Sequence, residues 1–493
     1  MPRGVLPLAA LVAFFGVFYA VFARVALHAF PFSGDEYSYF LQAELFARGL
    51  LHAPTPAHAE LLRVDHVLLQ PWVCSKYPPG TSALLAVGVW CGVPWLVTPV
   101  ESVVALVAMA IAARRLLPDR AALMAVAMLG AAPLFAFQAA SFFSHAAATM
   151  WLAIAYAAVV AWSCETRAWP GSRREEASRA PSGADQPGGW RLVLAGVAIG
   201  CAFVTRPFDA AVFGVALLSL RSARVIALVA AGVVPFVVLH FGYQAAQFGS
   251  PFMDGYRAYE PTFRAIYGAH TAAPAMAVSN LLNGEQLWHR FDIVRSFLID
   301  WTVPGMALLA VVGWYALGDE PRALPARRLG TTLVALFAFS FLFTIAGTDD
   351  GARPRYMTTT LLPLALFAAP GWWLAGEMLA VRVGRWPRRV IGVVVWVLTP
   401  VQLGAFLYQR TPEIWVREGL QVAVANAGIQ EAVVLVRAQY PTRYARNGPF
   451  FDRPILYVSA PPSTSVEQVR AAFPGRPLFE AHEGLPWSLV HVP

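Results

Sequence analysis

The chain has 493 residues, of which 58% are hydrophobic and only 13% are charged. A soluble protein carries about 25% charged residues, so this composition excludes an ordinary soluble enzyme and favours a polytopic α-helical membrane protein. The net charge of +8 would also suit a nucleic-acid partner, but the arginines cluster in short loops between apolar segments. Such clustering sets the orientation of a membrane protein, and we therefore expect no nucleic-acid partner.

The first apolar segment, residues 5–27, is predicted to span the membrane. Arg3 and the apolar run after it have the form of a signal peptide, but the run is long and Arg24-Val25-Ala26 offers no convincing cleavage site. We therefore expect a retained span with the N-terminus in the cytoplasm. The loop at 29–97 then lies on the outer face and carries helices at the membrane surface.

An acidic pair, Asp35 and Glu36, follows the first span directly. The residues after it, 37–46, have the pattern of an amphipathic helix lying along the membrane. Asp35 would sit at the start of that helix, where the helix dipole favours a carboxylate. Capping explains one acid but not two, so we interpret the pair as functional.

Lys76 is the only lysine in the sequence, although lysine and arginine together number 37. It precedes Tyr77-Pro78-Pro79-Gly80 and an apolar stretch, 81–93, that is too short to cross the membrane and is predicted to be half-inserted. A lysine can simply extend to the headgroup level, but in this composition an arginine would serve that purpose. A compact ammonium suits a phosphate oxygen, and we predict a phosphate contact here.

The arginine clusters test the predicted topology. Counting 81–93 as a full span would place four clusters outside, whereas omitting it places all four in the cytoplasm, as the positive-inside rule requires. They are Arg114-Arg115, Arg221 with Arg224, Arg327-Arg328 and Arg388-Arg389. The later spans are predicted at 99–116, 120–138, 145–163, 191–205, 207–220, 225–245, 293–317, 330–346, 356–380 and 390–408. About eleven spans result, with a flexible cytoplasmic loop at 164–190 and the C-terminus outside.

Several polar residues fall at predicted outer ends of spans. Arg206 and Arg355 stand where the positive-inside tendency argues against arginine, and such residues suit a phosphate group. Arg353 could equally pair with Asp349 or Asp350. Ser144-His145 begins a span, and the histidine could bind an acceptor, hold a metal, transfer a proton or simply end a helix. Further polar residues in the loop at 246–290 cannot be ranked; they are Asp254, Tyr256, Tyr259 and Glu260.

The composition changes near residue 409. Residues 1–408 form the predicted membrane domain, and 409–493 a small α/β domain on the outer face. Short apolar strands are predicted at Ala432–Ala438, Ile455–Ala460 and Trp487–Val492, with a helix at Ser465–Ala472. Because no cysteine or histidine cluster has metal-ligand spacing, no cofactor is indicated, and use of a divalent cation is left open.

Four motifs together resemble the GT-C glycosyltransferases over residues 5–408. They are Gly34-Asp35-Glu36-Tyr37, Lys76-Tyr77-Pro78-Pro79-Gly80, Thr205-Arg206-Pro207 and Arg355-Tyr356. The sequence is similar to the branch that contains protein O-mannosyltransferases and aminoarabinose transferases. This resemblance implies a hexosyl or pentosyl donor linked to a polyprenyl phosphate of the undecaprenyl type, an extracytoplasmic acceptor and inversion at the anomeric carbon. It also implies a bacterial inner membrane enzyme with its site on the extracytoplasmic side.

The resemblance assigns roles to individual residues. Asp35 corresponds to the general base, with Glu36 beside it, and Lys76 to the contact with the lipid phosphate. The expected donor-phosphate set is Lys76, Tyr77, Arg206, Arg353, Arg355 and Tyr356. Several relatives carry a second acid where this chain has Ser144-His145, so the acceptor-side or accessory role of these two residues is left open.

Two other functions are considered beside the transferase. A transporter or flippase for a lipid-linked sugar would be indicated by charges at mid-span and by repeat symmetry. Here the charges gather at predicted outer ends and the span count is odd. An inactive transferase homologue is the other alternative, against which the intact Asp35 and Lys76 argue.

Overall fold

The computed structural model of the protein describes residues 5–167, 188–267, 284–318, 322–343, 353–461 and 463–493. Most of the described chain is helical. The helices are α1 Val5–Val21, α2 Gly34–Phe46, α3 Pro79–Trp90, α4 Val97–Leu116, α5 Asp119–Ala131, α6 Pro133–Ala140, α7 Ser144–Arg167, α8 Gly189–Thr205, α9 Pro207–Leu217, α10 Ala223–Phe248, α11 Gly255–Tyr267, α12 Gly284–Asp300, α13 Met306–Ala316, α14 Leu324–Phe343, α15 Leu361–Val383, α16 Arg385–Asn426 and α17 Val466–Ala472. The predicted cytoplasmic loop falls mainly on 168–187, outside the described residues.

The apolar helices identify a multi-pass membrane protein. Within the described ranges, six segments are long and apolar enough to cross a membrane, and α5 with α6, bent by 61°, can be counted as a seventh. The six are Val5–Ala26, Pro94–Leu116, Ser144–Glu165, Ala223–Phe248, Pro354–Arg382 and Arg389–Gln409. Helices α3, α8, α9 and α13 are apolar but shorter, as predicted for α3. Helix length alone therefore does not fix the number of membrane spans, and the total of eleven stays a prediction.

Three predicted spans differ from the observed helices. The span predicted at 293–317 is broken, because α12 ends at Asp300 and α13 begins only at Met306, after Gly305 with φ +76°. The span at 120–138 bends at Pro133, which cannot donate a helical hydrogen bond. The last span, predicted to end near 408, continues as α16 to Asn426. Its final turns stay helical because Leu420 and Val424 are buried against the C-terminal sheet.

The C-terminal residues form a four-stranded sheet of order β5-β4-β6-β7. Strands β4 Ala432–Arg437, β5 Ile455–Val458 and β6 Leu478–His482 are parallel, and β7 Ser488–Val492 is antiparallel to β6. The strands β4, β5 and β7 and the helix α17 are as predicted, while β6 was missed because its sequence, LFEAH, mixes apolar and charged residues. The predicted boundary at residue 409 lies within α16, and the division into two domains stays a prediction.

The C-terminal sheet packs on the segment that connects α1 to α3. This segment contains α2 and the short antiparallel strands β1 Ala53–Pro54, β2 Val67–Leu68 and β3 Trp72–Ser75. Its polar contacts with α16 and with the residues between β4 and β5 include Thr442 Oγ1 to Asp65 Oδ1 at 2.6 Å, Arg453 Nη2 to Glu44 Oε1 at 2.6 Å, Arg417 Nη1 to the Phe32 carbonyl at 2.8 Å, and a hydrogen bond from the Tyr37 hydroxyl to the Asn447 carbonyl. Helix α2 is therefore largely buried inside the protein, and its predicted position at the membrane surface stays a prediction.

Candidate functional site

A cavity of about 690 Å³ lies where α2, the residues before α3, the start of α7, the α8–α9 junction, α10, α11 and the residues before α15 meet. Eight of the ten side chains predicted to form the site line it. They are Asp35, Lys76, Tyr77, Ser144, His145, Arg206, Arg355 and Tyr356. Residues from distant parts of the sequence thus converge on one space, which is large enough for a small ligand.

Asp35 is the acidic centre of the cavity. Its Oδ2 lies 3.1 Å from Arg355 Nη2, its Oδ1 accepts a hydrogen bond from the Tyr77 hydroxyl, and His66 Nε2 lies 3.4 Å from Oδ1. Burial alone would raise the pKa of Asp35, but the guanidinium of Arg355, with His66, Lys76 and the Tyr77 hydroxyl, outweighs burial and holds this pKa well below its usual range. The carboxylate is therefore ionised at neutral pH.

Glu36 does not line the cavity. Its carboxylate is fully buried, with Oε2 2.9 Å from the Ser33 amide nitrogen and Oε1 2.8 Å from the Phe142 amide nitrogen. Ser33 Oγ accepts in turn from the Glu36 amide, which completes a capping box at the start of α2. Burial raises the pKa of Glu36 to about 7. The predicted acidic pair is thus divided, because Asp35 enters the cavity while Glu36 ties α2 to the residues before α7.

Lys76 is held among aromatic rings. Its Nζ lies 5.0 Å from the ring centroids of Tyr77, Tyr256 and Tyr259, within the range of cation–π attraction. Burial lowers the pKa of Lys76 to about 8, although the carboxylates of Asp35 and Asp65 act in the opposite direction. The ammonium group is therefore charged at neutral pH and loses its proton in mild alkali.

Two glycines allow the backbone carrying Lys76 to approach its neighbours. A Cβ on Gly255 at the start of α11 would lie 2.1 Å from the Lys76 carbonyl oxygen. A Cβ on Gly80 in α3 would lie 2.3 Å from Oγ1 of Thr205, the residue before Arg206. Both distances are far too short for a real contact, so any larger residue would move the Lys76 segment away from α11 or from the α8–α9 junction.

Arg206 and Arg355 form the cationic wall of the cavity. Arg206 Nε pairs with Asp209 Oδ2 at 2.9 Å, and its Nη1 donates to Ser144 Oγ at 3.1 Å. Arg355 is only 4% exposed, and its guanidinium lies over the Phe143 ring at 4.7 Å. Tyr356 contacts both cations, at 5.3 Å from Arg355 and 5.4 Å from Arg206. The side chain of Arg353 and its predicted partners Asp349 and Asp350 lie outside the described residues.

Sequence reasoning missed His66 and Tyr39, which also line the cavity. Burial, followed by the charge of Lys76, lowers the pKa of His66 to about 4, so its imidazole is neutral at neutral pH. The Tyr39 hydroxyl lies 3.1 Å from Ser144 Oγ. The one available signal was their proximity in sequence to Asp35 and Lys76. Tyr256 and Tyr259, noted but not ranked, are the residues that surround Lys76.

In the part of the chain that the structure describes, no group of three or more His, Cys, Asp or Glu residues is placed to hold a metal ion.

No protein-family model matches the sequence, and no curated protein matches it significantly. Solved structures do resemble it. ArnT from Cupriavidus metallidurans, bound to undecaprenyl phosphate, superposes with a TM-score of 0.52 at 13% identity over 96% of this chain and 92% of that one. The apo form of ArnT gives 0.52 at 14% identity, over 94% and 92% of the two chains.

The oligosaccharyltransferase of Archaeoglobus fulgidus, in complex with Zn and sulfate, gives a TM-score of 0.50 at 12% identity. The match covers 92% of this chain but only 62% of the archaeal protein, which is considerably longer. Identities this low establish a common fold and nothing finer. The protein therefore has the GT-C fold, as its four motifs indicated.

Proposed function

We propose that the protein is a membrane glycosyltransferase that moves a hexosyl or pentosyl group from a polyprenyl phosphate of the undecaprenyl type to an extracytoplasmic lipid, glycan or protein, with inversion. The proposal rests chiefly on one observation: the carboxylate of Asp35 shares a single cavity with the cations Lys76, Arg206 and Arg355. A carboxylate suits the acceptor hydroxyl, and the cations suit a phosphate leaving group. The GT-C fold supports the same chemistry by analogy.

Lys76 is the cation best prepared for the donor phosphate. Arg206 already pairs with Asp209, and Arg355 with Asp35, whereas Lys76 makes no ion pair with a carboxylate among the described residues. Three tyrosine rings hold its ammonium group without neutralising it. When the glycosidic bond to phosphate breaks, negative charge grows on the phosphate oxygens, and a fixed cation stabilises that charge most in a site from which water is excluded.

Asp35 takes the acceptor proton in this proposal. The acceptor oxygen forms its bond to the anomeric carbon, its proton passes to the Asp35 carboxylate, and the sugar–oxygen bond breaks with the electron pair leaving on the polyprenyl phosphate. Arg355 makes Asp35 a weak base through their 3.1 Å ion pair. A phosphodiester bound beside Arg355 would compete for the guanidinium and so raise the basicity of Asp35.

Glu36 acts as a positioning residue in the same scheme, since its carboxylate bonds backbone amides on both sides of the α2 N-terminus. Neutral His66 orients the Asp35 carboxylate from the side of β2. We place the protein in a bacterial inner membrane with the cavity and the C-terminus on the extracytoplasmic side. The distribution of arginine supports this orientation.

Asp35→Asn tests the proposal. A strain lacking the gene should accumulate a glycosylated polyprenyl phosphate and lose one glycan or lipid modification, both measured by mass spectrometry. The wild-type gene should restore the modification. Asp35→Asn should lower transfer about a hundredfold or more, because the amide cannot accept the proton. Asp119→Asn, an exposed acid at the start of α5, serves as the matched control and should behave as wild type. Transfer by Asp35→Asn at the wild-type rate would exclude Asp35 as the base.

A further inference from the structure

His145 stands in the first turn of α7 with an unusual lack of partners. Its side chain lines the cavity and is only 3% exposed, yet neither ring nitrogen has a hydrogen-bond partner among the described residues. More than nine in ten buried polar groups in proteins are hydrogen-bonded. An imidazole with both nitrogens unsatisfied, beside an open cavity, is therefore the arrangement expected of a group that is completed by a ligand.

The neighbours of His145 do not compete for it. Ser144 Oγ, one residue earlier, is already engaged by Arg206 Nη1 and the Tyr39 hydroxyl, each at 3.1 Å. The imidazole packs edge-on against two aromatic rings, with Phe143 at 6.0 Å and Tyr356 at 5.6 Å between ring centroids. Both rings pack on the imidazole, and neither forms a hydrogen bond with its nitrogens.

The location limits the chemistry of that molecule. Tyr356 contacts His145 and also both guanidinium groups, Arg206 and Arg355, which we assign to the donor phosphate. That phosphate is bonded to the sugar on one side and to the apolar polyprenyl chain on the other, and of these two groups only the sugar carries hydroxyls. A sugar hydroxyl both donates and accepts, and a neutral imidazole also offers one donor and one acceptor. A carboxylate would only accept, and an arginine would only donate.

We propose that His145 binds a hydroxyl group of the sugar carried by the polyprenyl phosphate and so determines which donor the protein accepts. This inference rests on the transferase function proposed above and adds a specificity residue to it. Because buried polar groups left unpaired are costly, a site of this kind discriminates strongly against ligands that lack the matching hydroxyl.

Binding measurements on the purified full-length protein in nanodiscs test the proposal. The probes are undecaprenyl phosphate, its methyl ester, and its glucosyl, mannosyl, galactosyl and arabinosyl esters. We expect wild type to bind at least one sugar ester about tenfold more tightly than the methyl ester, which carries the same charge, as one well-placed hydrogen bond provides. His145→Phe, which keeps a flat ring without polar atoms, should lose that advantage while binding the methyl ester as wild type does. His145→Asn, whose amide both donates and accepts, should recover part of it.

The outcomes separate the inference from the function on which it rests. If His145→Phe lost affinity equally for ligands with and without a sugar, the residue would be assigned to phosphate binding or to folding, and the inference would be overturned. Retention of the sugar advantage in His145→Phe would also overturn it. The same holds if wild type prefers none of the sugar esters. Failure of wild type to bind even undecaprenyl phosphate would instead refute the proposed function.

Discussion

We expect the affinity of the wild-type protein for its donor to fall at alkaline pH, and we expect Lys76→Arg to abolish this fall. Burial lowers the pKa of Lys76 to about 8, so the ammonium group is present below this pH and is lost as the pH rises through it. About nine-tenths of the side chains are charged at pH 7 and about one-tenth at pH 9. If the charge is needed for phosphate binding, affinity for an anionic donor falls about tenfold between these pH values. Arginine stays charged over this whole pH range, so the affinity of the Lys76→Arg variant should not fall.

The probe for this measurement must not titrate itself. The methyl ester of undecaprenyl phosphate is a diester with one negative charge at every pH used, so a change in its affinity reports on the protein. Binding to wild type, Lys76→Arg and Lys76→Ala would be measured in nanodiscs between pH 7 and 9.5. We expect Lys76→Ala to bind weakly at all pH values. Lys76→Arg should restore only part of the affinity at pH 7, because a guanidinium spreads its charge over a plane whereas the ammonium is a compact point charge.

Two results would refute the reasoning. A flat wild-type profile up to pH 9.5 would mean that the Lys76 charge does not contact the phosphate or that its pKa is not lowered. An alkaline fall of the same size in Lys76→Arg would assign the titration to another group. Full affinity of the arginine variant at pH 7 would further show that the single lysine has no special role.

The remaining predictions concern the supports of the site. Burial raises the pKa of Glu36 to about 7, so its contribution to stability is present at low pH and is lost as the pH rises through 7. The melting temperature should therefore fall between pH 5 and 8 in wild type but not in Glu36→Gln, as followed by tryptophan fluorescence; parallel curves would contradict this. Gly255→Ala should weaken binding of undecaprenyl phosphate at least tenfold, because its Cβ would meet the Lys76 carbonyl at 2.1 Å. Gly242→Ala, with open space around it, should bind normally, and equal behaviour of the two variants would exclude the steric argument.

Local signals explain what was predicted correctly. Proline at the start of α3 and the short apolar runs of β4 and β5 act over a few residues, so the sequence indicates where these elements begin. The positions of single helix breaks were less predictable. The break between α12 and α13 follows from packing and from the backbone of Gly305. The sequence is apolar on both sides of the break, so its composition does not show where the helix ends.

The division of Asp35 from Glu36 illustrates what only the tertiary structure decided. Successive residues on a helix point about 100° apart, so two adjacent acids face different directions, and which one enters the cavity depends on what packs around α2. The connection between β4 and β5 covers one side of α2, where the Tyr37 hydroxyl donates to the Asn447 carbonyl, and Phe142 approaches Glu36 on another. These partners lie about 100 to 400 residues away along the chain, and no local pattern encodes their approach.

The sequence by itself determined that this is a membrane protein of helical spans, that Asp35, Lys76, Arg206 and Arg355 are its notable polar residues, and that its motifs follow the GT-C order. Composition and short motifs suffice for these points, because hydrophobicity and residue chemistry are properties of the chain alone. The tertiary structure decided that the four side chains share one cavity, that tyrosines surround the lysine, and that His145 enters the same space without partners. Such features depend on distances between helices, which arise only when the helices pack.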